Sequence, residues 1–101
     1  MKIVINKCYG GFGLTKAVFD ELGIEYDEYG YINNEDLGIQ TDDYMAYRAS
    51  PKLIAAIEKV GIKESTAPLA ELAVVEIPDD VDWEIDEYDG IETIHEKHRS
   101  W

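Results

Sequence analysis

The residues best placed to do chemistry form one run near the start of the chain, Asn6-Lys7-Cys8-Tyr9-Gly10-Gly11-Phe12-Gly13-Leu14-Thr15. A strand that passes through a glycine loop into a helix N-terminus presents free N–H groups and the positive end of the helix dipole to an anion. Asn6, Lys7, Tyr9, Gly10, Gly11, Gly13 and Thr15 are therefore candidate binding residues, with Arg48 and Arg99 as further cations. The spacing fits neither a Walker loop nor a dinucleotide fingerprint, and the same glycines would serve a plain tight turn.

A second set is Cys8 with His95 or His98, a thiol and a possible base. Thiol chemistry needs a thiolate with an imidazole beside it, and nothing in the spacing brings these together. With one cysteine in the chain no internal disulfide forms, and Cys8 after an apolar run reads as a buried, inert thiol. Asp79-Asp80-Val81-Asp82 could hold calcium weakly but reads better as a solvated turn. No EF-hand pattern and no paired Cys or His spacing points to a metal, and no motif asks for a cofactor. The expectation is a protein that is not an enzyme.

Two further groups suit contact with a partner. The closing His98-Arg99-Ser100-Trp101 combines a cation with a large aromatic, the residue types that anchor interfaces. Five of the seven tyrosines fall between positions 26 and 47, Tyr44 and Tyr47 among them, interleaved with acids. They suit a protein surface, a ligand pocket or an ordinary core rim.

The elements that must position these groups are partly legible. Lys2–Lys7 reads as a buried strand. Lys16–Leu22 reads as a short helix with Thr15 as N-cap, Gly23 as left-handed C-cap and a Leu14–Phe19 staple. Residues 24–48 suggest short strands at Ile24–Tyr26 and Tyr44–Arg48 around a long loop. Ser50 caps a helix to Gly61, with Pro51 at its first position and Leu53, Ile54, Ile57 and Val60 on one face. Residues 62–68 read as a linker and Leu72–Ile77 as a second apolar strand. Val81, Trp83 and Ile85 alternate with Asp82, Glu84 and Asp86, the period-two pattern of a strand with one buried and one acidic face. In the tail, Asp89-Gly90 favours a hairpin. Asp89 with Glu92 also spells a capping box, and Ile91, Ile94, His95 and His98 fall at helical spacing, so a short helix is the preferred reading. The fold class expected is α+β: one domain, with a small mixed sheet and two or three short helices packed on one face.

At 101 residues and 46% hydrophobic, the chain has material for one small core. No apolar run approaches the roughly 20 residues of a membrane span, and the start lacks the pattern of a signal peptide, so a cytoplasmic location is expected. The net charge is −13, unevenly spread. Ala17–Tyr47 carries nine acids and Glu64–Glu96 twelve, with no Lys or Arg in either stretch. Such a chain is repelled by nucleic acid and by anionic membranes. It attracts basic protein surfaces, including those that normally hold DNA or RNA, with Asp82, Glu84 and Asp86 the natural contact row. Acidity also favours solubility by itself.

Both ends carry specific strings: Ile5-Asn6-Lys7-Cys8-Tyr9-Gly10-Gly11-Phe12-Gly13-Leu14, Val75-Glu76-Ile77-Pro78-Asp79-Asp80-Val81 with Trp83, Tyr88-Asp89-Gly90-Ile91-Glu92, and Glu96-Lys97-His98-Arg99-Ser100-Trp101. Together they cover about half the chain and resemble a group of small bacteriophage and prophage proteins without an assigned activity. The resemblance implies a protein that acts by binding in a host cytoplasm. It would block a host enzyme, mimic nucleic acid against a defence nuclease, or sequester a signalling nucleotide. Inhibition of a host factor with a basic surface, in counter-defence or host takeover, is the leading expectation. A nucleotide-binding module built on the glycine loop and taking a small anionic ligand is the alternative.

Overall fold

The computed structural model describes residues 1–96. Its first strand, β1 (Lys2–Asn6), pairs antiparallel with β2 (Leu72–Glu76), placing Lys2 opposite Glu76 and Asn6 opposite Leu72. A contiguous β-branched run suits a strand covered on both faces, and Ile3, Val4 and Ile5 are all buried. Val4 and Leu72 join the core made with the helices, and Val74 packs against it.

Helix α1 (Lys16–Leu22) buries Val18, Phe19 and Leu22 and ends at Gly23 in the left-handed region, as its sequence expects. Thr15 has the extended backbone of an N-cap, but its side chain does not cap. The hydroxyl donates instead to the Glu64 carbonyl at 2.6 Å. Helix α2 (Pro51–Val60) starts with Pro51 behind a working cap, the Ser50 side chain accepting from the Leu53 amide. Its buried face, Leu53, Ile54, Ala56 and Ile57, closes the core against α1. Residues 62–68 are not only a linker, because Ile62–Ser65 form a further turn, α3. Ser65 is fully buried there, its hydroxyl donating to the carbonyls of Gly61 and Ile57.

Between α1 and α2 neither expected strand forms. Side chains bond to nearby backbone instead and shape tight turns, the usual competitor of strand pairing. Asp27 accepts from the amides of Tyr29 and Gly30, and Asn33 and Asp36 cap one another's amides around a 3-10 turn at Glu35–Leu37. Asn34 reaches the Asp43 carbonyl and the Tyr47 amide. A second 3-10 turn, Ala46–Ala49, stands where Tyr44–Arg48 reads as a strand.

The tail is a hairpin and not a helix. Strand β3 (Trp83–Tyr88) pairs antiparallel with β4 (Ile91–Glu96). Asp89 and Gly90 both take positive φ, +51° and +94°, the pattern of a type I′ turn, whose twist matches the strands it joins. That turn outweighs the capping-box signal, and His98, the last residue of the proposed helical face, lies outside the described residues. The molecule is thus a single α+β domain with two antiparallel two-stranded ribbons, where the sequence suggests one mixed sheet. β3 follows β2 but does not join it, because its partner is the adjacent β4.

The hairpin turn docks on the glycine loop. A Cβ at Gly90 would lie 2.6 Å from the Tyr9 carbonyl oxygen and 2.9 Å from the Gly11 nitrogen, whereas one at Gly11 would meet open space. Gly11→Ala should therefore cost only the strain of a positive φ, about 1 kcal/mol. Gly90→Ala adds a backbone clash and should cost at least about 2 kcal/mol. Urea unfolding of both variants measures this, and equal losses would mean that the close approach is not what holds the turn.

Candidate functional site

Asn6 is the joint of the molecule. Its fully buried side chain donates to the Cys8 and Gly90 carbonyls, both at 2.7 Å, and accepts from the Glu71 amide at 2.7 Å. One amide thus binds the end of β1, the glycine loop, the entry to β2 and the hairpin turn. Next to it lies a buried ion pair. The Arg48 guanidinium grips the Glu92 carboxylate with two bonds, Nη1 to Oε1 at 2.6 Å and Nη2 to Oε2 at 2.8 Å. Both side chains are buried, 4% and 6% exposed.

The location of this pair explains it. Lys7 donates to Glu71, and Met1 accepts from Ile77, so the odd-numbered residues of β1 point their backbone groups at β2. By the alternation of an antiparallel ladder, Val4 and Asn6 point theirs at the opposite edge. Arg48 Nη1 donates to the Val4 carbonyl at 3.3 Å, and Glu92 Oε1 accepts from the Asn6 amide at 2.7 Å. The ion pair fills the place of a third strand. Arg48 also lies over the Phe12 ring, 3.6 Å from its centroid, with Tyr47 at 5.2 Å. Burial works against the charge of Arg48, but hydrogen bonding to Glu92 and the nearby Tyr47 outweigh it, and the guanidinium sits above its ordinary pKa. A raised pKa gives stability that is present below the ordinary value and is lost only as pH climbs past the raised one. Alkali up to about pH 10 therefore leaves Arg48 charged.

The remaining candidates divide sharply. A Cβ on Gly10 would fall 1.5 Å from the Leu69 carbonyl oxygen, and one on Gly13 would fall 3.0 Å from Ala67, so both glycines serve close packing. The amides of Leu14 and Thr15 donate to Gly30 and Ser65. Lys7 and Tyr9 are exposed. Cys8 is half-buried and not sealed in the core. Its thiol donates to the Leu69 carbonyl at 3.2 Å, while His95 contacts Asp86 and Thr93 on the hairpin. His98, Arg99 and Trp101 lie outside the described residues.

The hairpin has two faces. Directly opposed residues of a ribbon share a side, so Glu84, Asp86 and Tyr88 lie with Ile91, Thr93 and His95 on the outer face. Trp83, Ile85 and Glu87 lie with Glu92, Ile94 and Glu96 on the inner one. The expected alternation holds: Trp83 and Ile85 are half-buried, while Asp82, Glu84 and Asp86 are exposed. Among the described residues His95 is the one basic side chain on the outer face, 3.2 Å from Asp86. Three lysines pair elsewhere, Lys2 with Glu58, Lys16 with Asp20 and Lys59 with Glu21.

Beneath the hairpin a cleft of about 430 Å³ opens between the glycine loop, the tyrosine-rich segment and the inner face. It brings together Gly11, Arg48 and the tyrosines Tyr31, Tyr44 and Tyr47 from the sequence candidates with Phe12, Glu87 and Glu92, which the sequence did not single out as site residues. The missed signal is the Asp89-Gly90 turn: once it is a two-residue hairpin, Glu87 must face Glu92. Compared with known proteins, the chain matches no family model, no curated protein and no solved structure.

Removing one half of a buried ion pair leaves the other as an uncompensated charge. Glu92→Gln and Arg48→Met should each cost about 3–5 kcal/mol in urea unfolding. The double variant should be more stable than the sum of the two losses predicts, by about 1–3 kcal/mol. Strict additivity would mean that the two side chains act independently.

Proposed function

We propose that this chain is a non-catalytic binding protein that docks the outer face of its β3–β4 hairpin on a basic surface of a partner protein and inhibits it by covering that surface. The observation that carries this reading is the exposed row Asp82, Glu84 and Asp86, opposed by one histidine among the described residues, while Lys2, Lys16 and Lys59 pair elsewhere. On a strand, alternate residues stand about 6.5–7 Å apart, so the row offers negative charge at a regular interval along a rigid edge. A partner surface that normally holds phosphates is suited to it, and the carboxylates then stand in for a nucleic-acid backbone. The groups that could do chemistry are held in structural bonds instead, Asn6 and Arg48 in the buried network and Cys8 against Leu69, which supports binding over catalysis. The resemblance to phage proteins makes the partner a host factor and the host cytoplasm the place of action.

Complexes held by exposed charge weaken as salt shortens the Debye length, from about 10 Å at 0.1 M to about 3 Å at 1 M. The wild-type protein should therefore retain its partner from bacterial lysate at low salt and release it at high salt. The triple variant Asp82→Asn, Glu84→Gln, Asp86→Asn should lose at least about tenfold in affinity without losing stability. If that variant keeps the same partner with the same salt dependence, the outer face is not the contact surface.

A further inference from the structure

The cleft under the hairpin has a chemistry of its own. Phe12, Tyr31, Tyr44 and Tyr47 supply its aromatic lining, and Tyr31 and Tyr44 are largely exposed, at 65% and 78%. Arg48, the one cation in the lining, is already neutralised by Glu92. Glu87 remains. Its Oε1 accepts from the Gly90 amide at 3.0 Å, and its carboxylate has no ion-pair partner among the described residues. The charged residues of the lining, Arg48, Glu87 and Glu92, thus sum to minus one, inside a chain whose net charge is −13. An aromatic surface with a carboxylate beside it in a negative field favours an organic cation and opposes a phosphate or carboxylate ligand.

The protein itself displays how such a cation is held. Arg48 is bound by an aromatic face, Phe12, and by a bidentate carboxylate, Glu92. The open half of the cleft offers the same two elements again, the tyrosines and Glu87. A planar guanidinium uses both at once, since it stacks on rings and forks onto a carboxylate, whereas an ammonium does neither as well. A volume of about 430 Å³ is within the usual range for small-ligand pockets.

We infer that this cleft is a socket for an arginine side chain, supplied by the partner protein whose basic surface meets the acidic outer face. The inference rests on the docking reading above for the source of the arginine, and not for the chemistry of the socket. A partner seated on the outer face inserts one arginine around the edge of the ribbon into the cleft, so charge on the outer face sets encounter and the socket sets orientation.

The test needs no partner. N-acetyl-arginine amide is titrated into the labelled protein and followed by NMR, with N-acetyl-citrulline amide as the uncharged match. The expected result is saturable shifts at Phe12, Tyr44, Tyr47 and Gly90 for the arginine compound only. Glu87→Gln should weaken binding at least about tenfold and Tyr44→Ala about threefold to fivefold. Tyr44 is exposed, so its loss leaves the fold intact and keeps the test valid if Glu87→Gln disturbs the turn. Equal binding of citrulline, shifts confined to Glu84 and Asp86, or no saturable shift at all would overturn the socket. None of these would touch the docking of the outer face, which the triple variant tests separately.

Discussion

The free edge of β1 is the constraint on which the rest of the structure depends. A two-stranded ribbon at the centre of a small domain leaves one edge of backbone groups without a strand to pair with, and a buried unpaired group costs about 1–3 kcal/mol. Two side chains resolve this. Arg48 supplies the donor for the Val4 carbonyl and Glu92 the acceptor for the Asn6 amide, and each neutralises the other. The tyrosine-rich segment has to turn inward at residue 48 for this to happen, and the hairpin has to present residue 92 to the core. A slip of one residue in β4 would swing Glu92 to the outer face and bury Thr93 or Ile91 in its place. The pair therefore fixes the position of the hairpin, and with it both the cleft and the direction of the acidic face.

This arrangement also explains why two inward carboxylates sit side by side. Glu87 and Glu92 face each other across the ribbon, a juxtaposition that like charges resist. Glu92 is relieved by Arg48, and Glu87 by the amide of the turn it precedes. Among the described residues the outer face has no such relief beyond His95. The hairpin thus carries negative charge on both sides: inside it is held in structural bonds by Arg48 and the turn amide, and outside it is exposed.

Local features made some elements legible in the sequence. The β-branched run of β1, the proline and serine that begin α2, the glycine that ends α1 and the strict alternation around Trp83 all act within a few residues, and each element stands where its signal lies. The acidic row was legible for the same reason. Residues 24–48 were not, because their shape comes from side chains such as Asp27 and Asn34 bonding to backbone up to thirteen positions away. Glu92 was misread because its decisive partner is Arg48, forty-four residues earlier, while its neighbours spell a helix cap. The cleft was hidden for the same cause, being walled by segments that meet only in the folded chain. Asn6 was singled out for a ligand and proves to be the joint of the fold.

The edge closed by an ion pair also governs how such a sequence can change over time. A strand edge covered by another strand tolerates many side chains, because backbone does the pairing. Here the pairing is done by two particular side chains, and a chain with only one of them carries a buried charge worth a large share of the roughly 5–15 kcal/mol that holds a domain together. The two positions can therefore change only as a couple, through an intermediate that barely folds, while the acids of the outer face, tied into no such buried pair, can be replaced one at a time. One hairpin thus joins an inner side whose residues are locked to one another with an outer side whose residues are not.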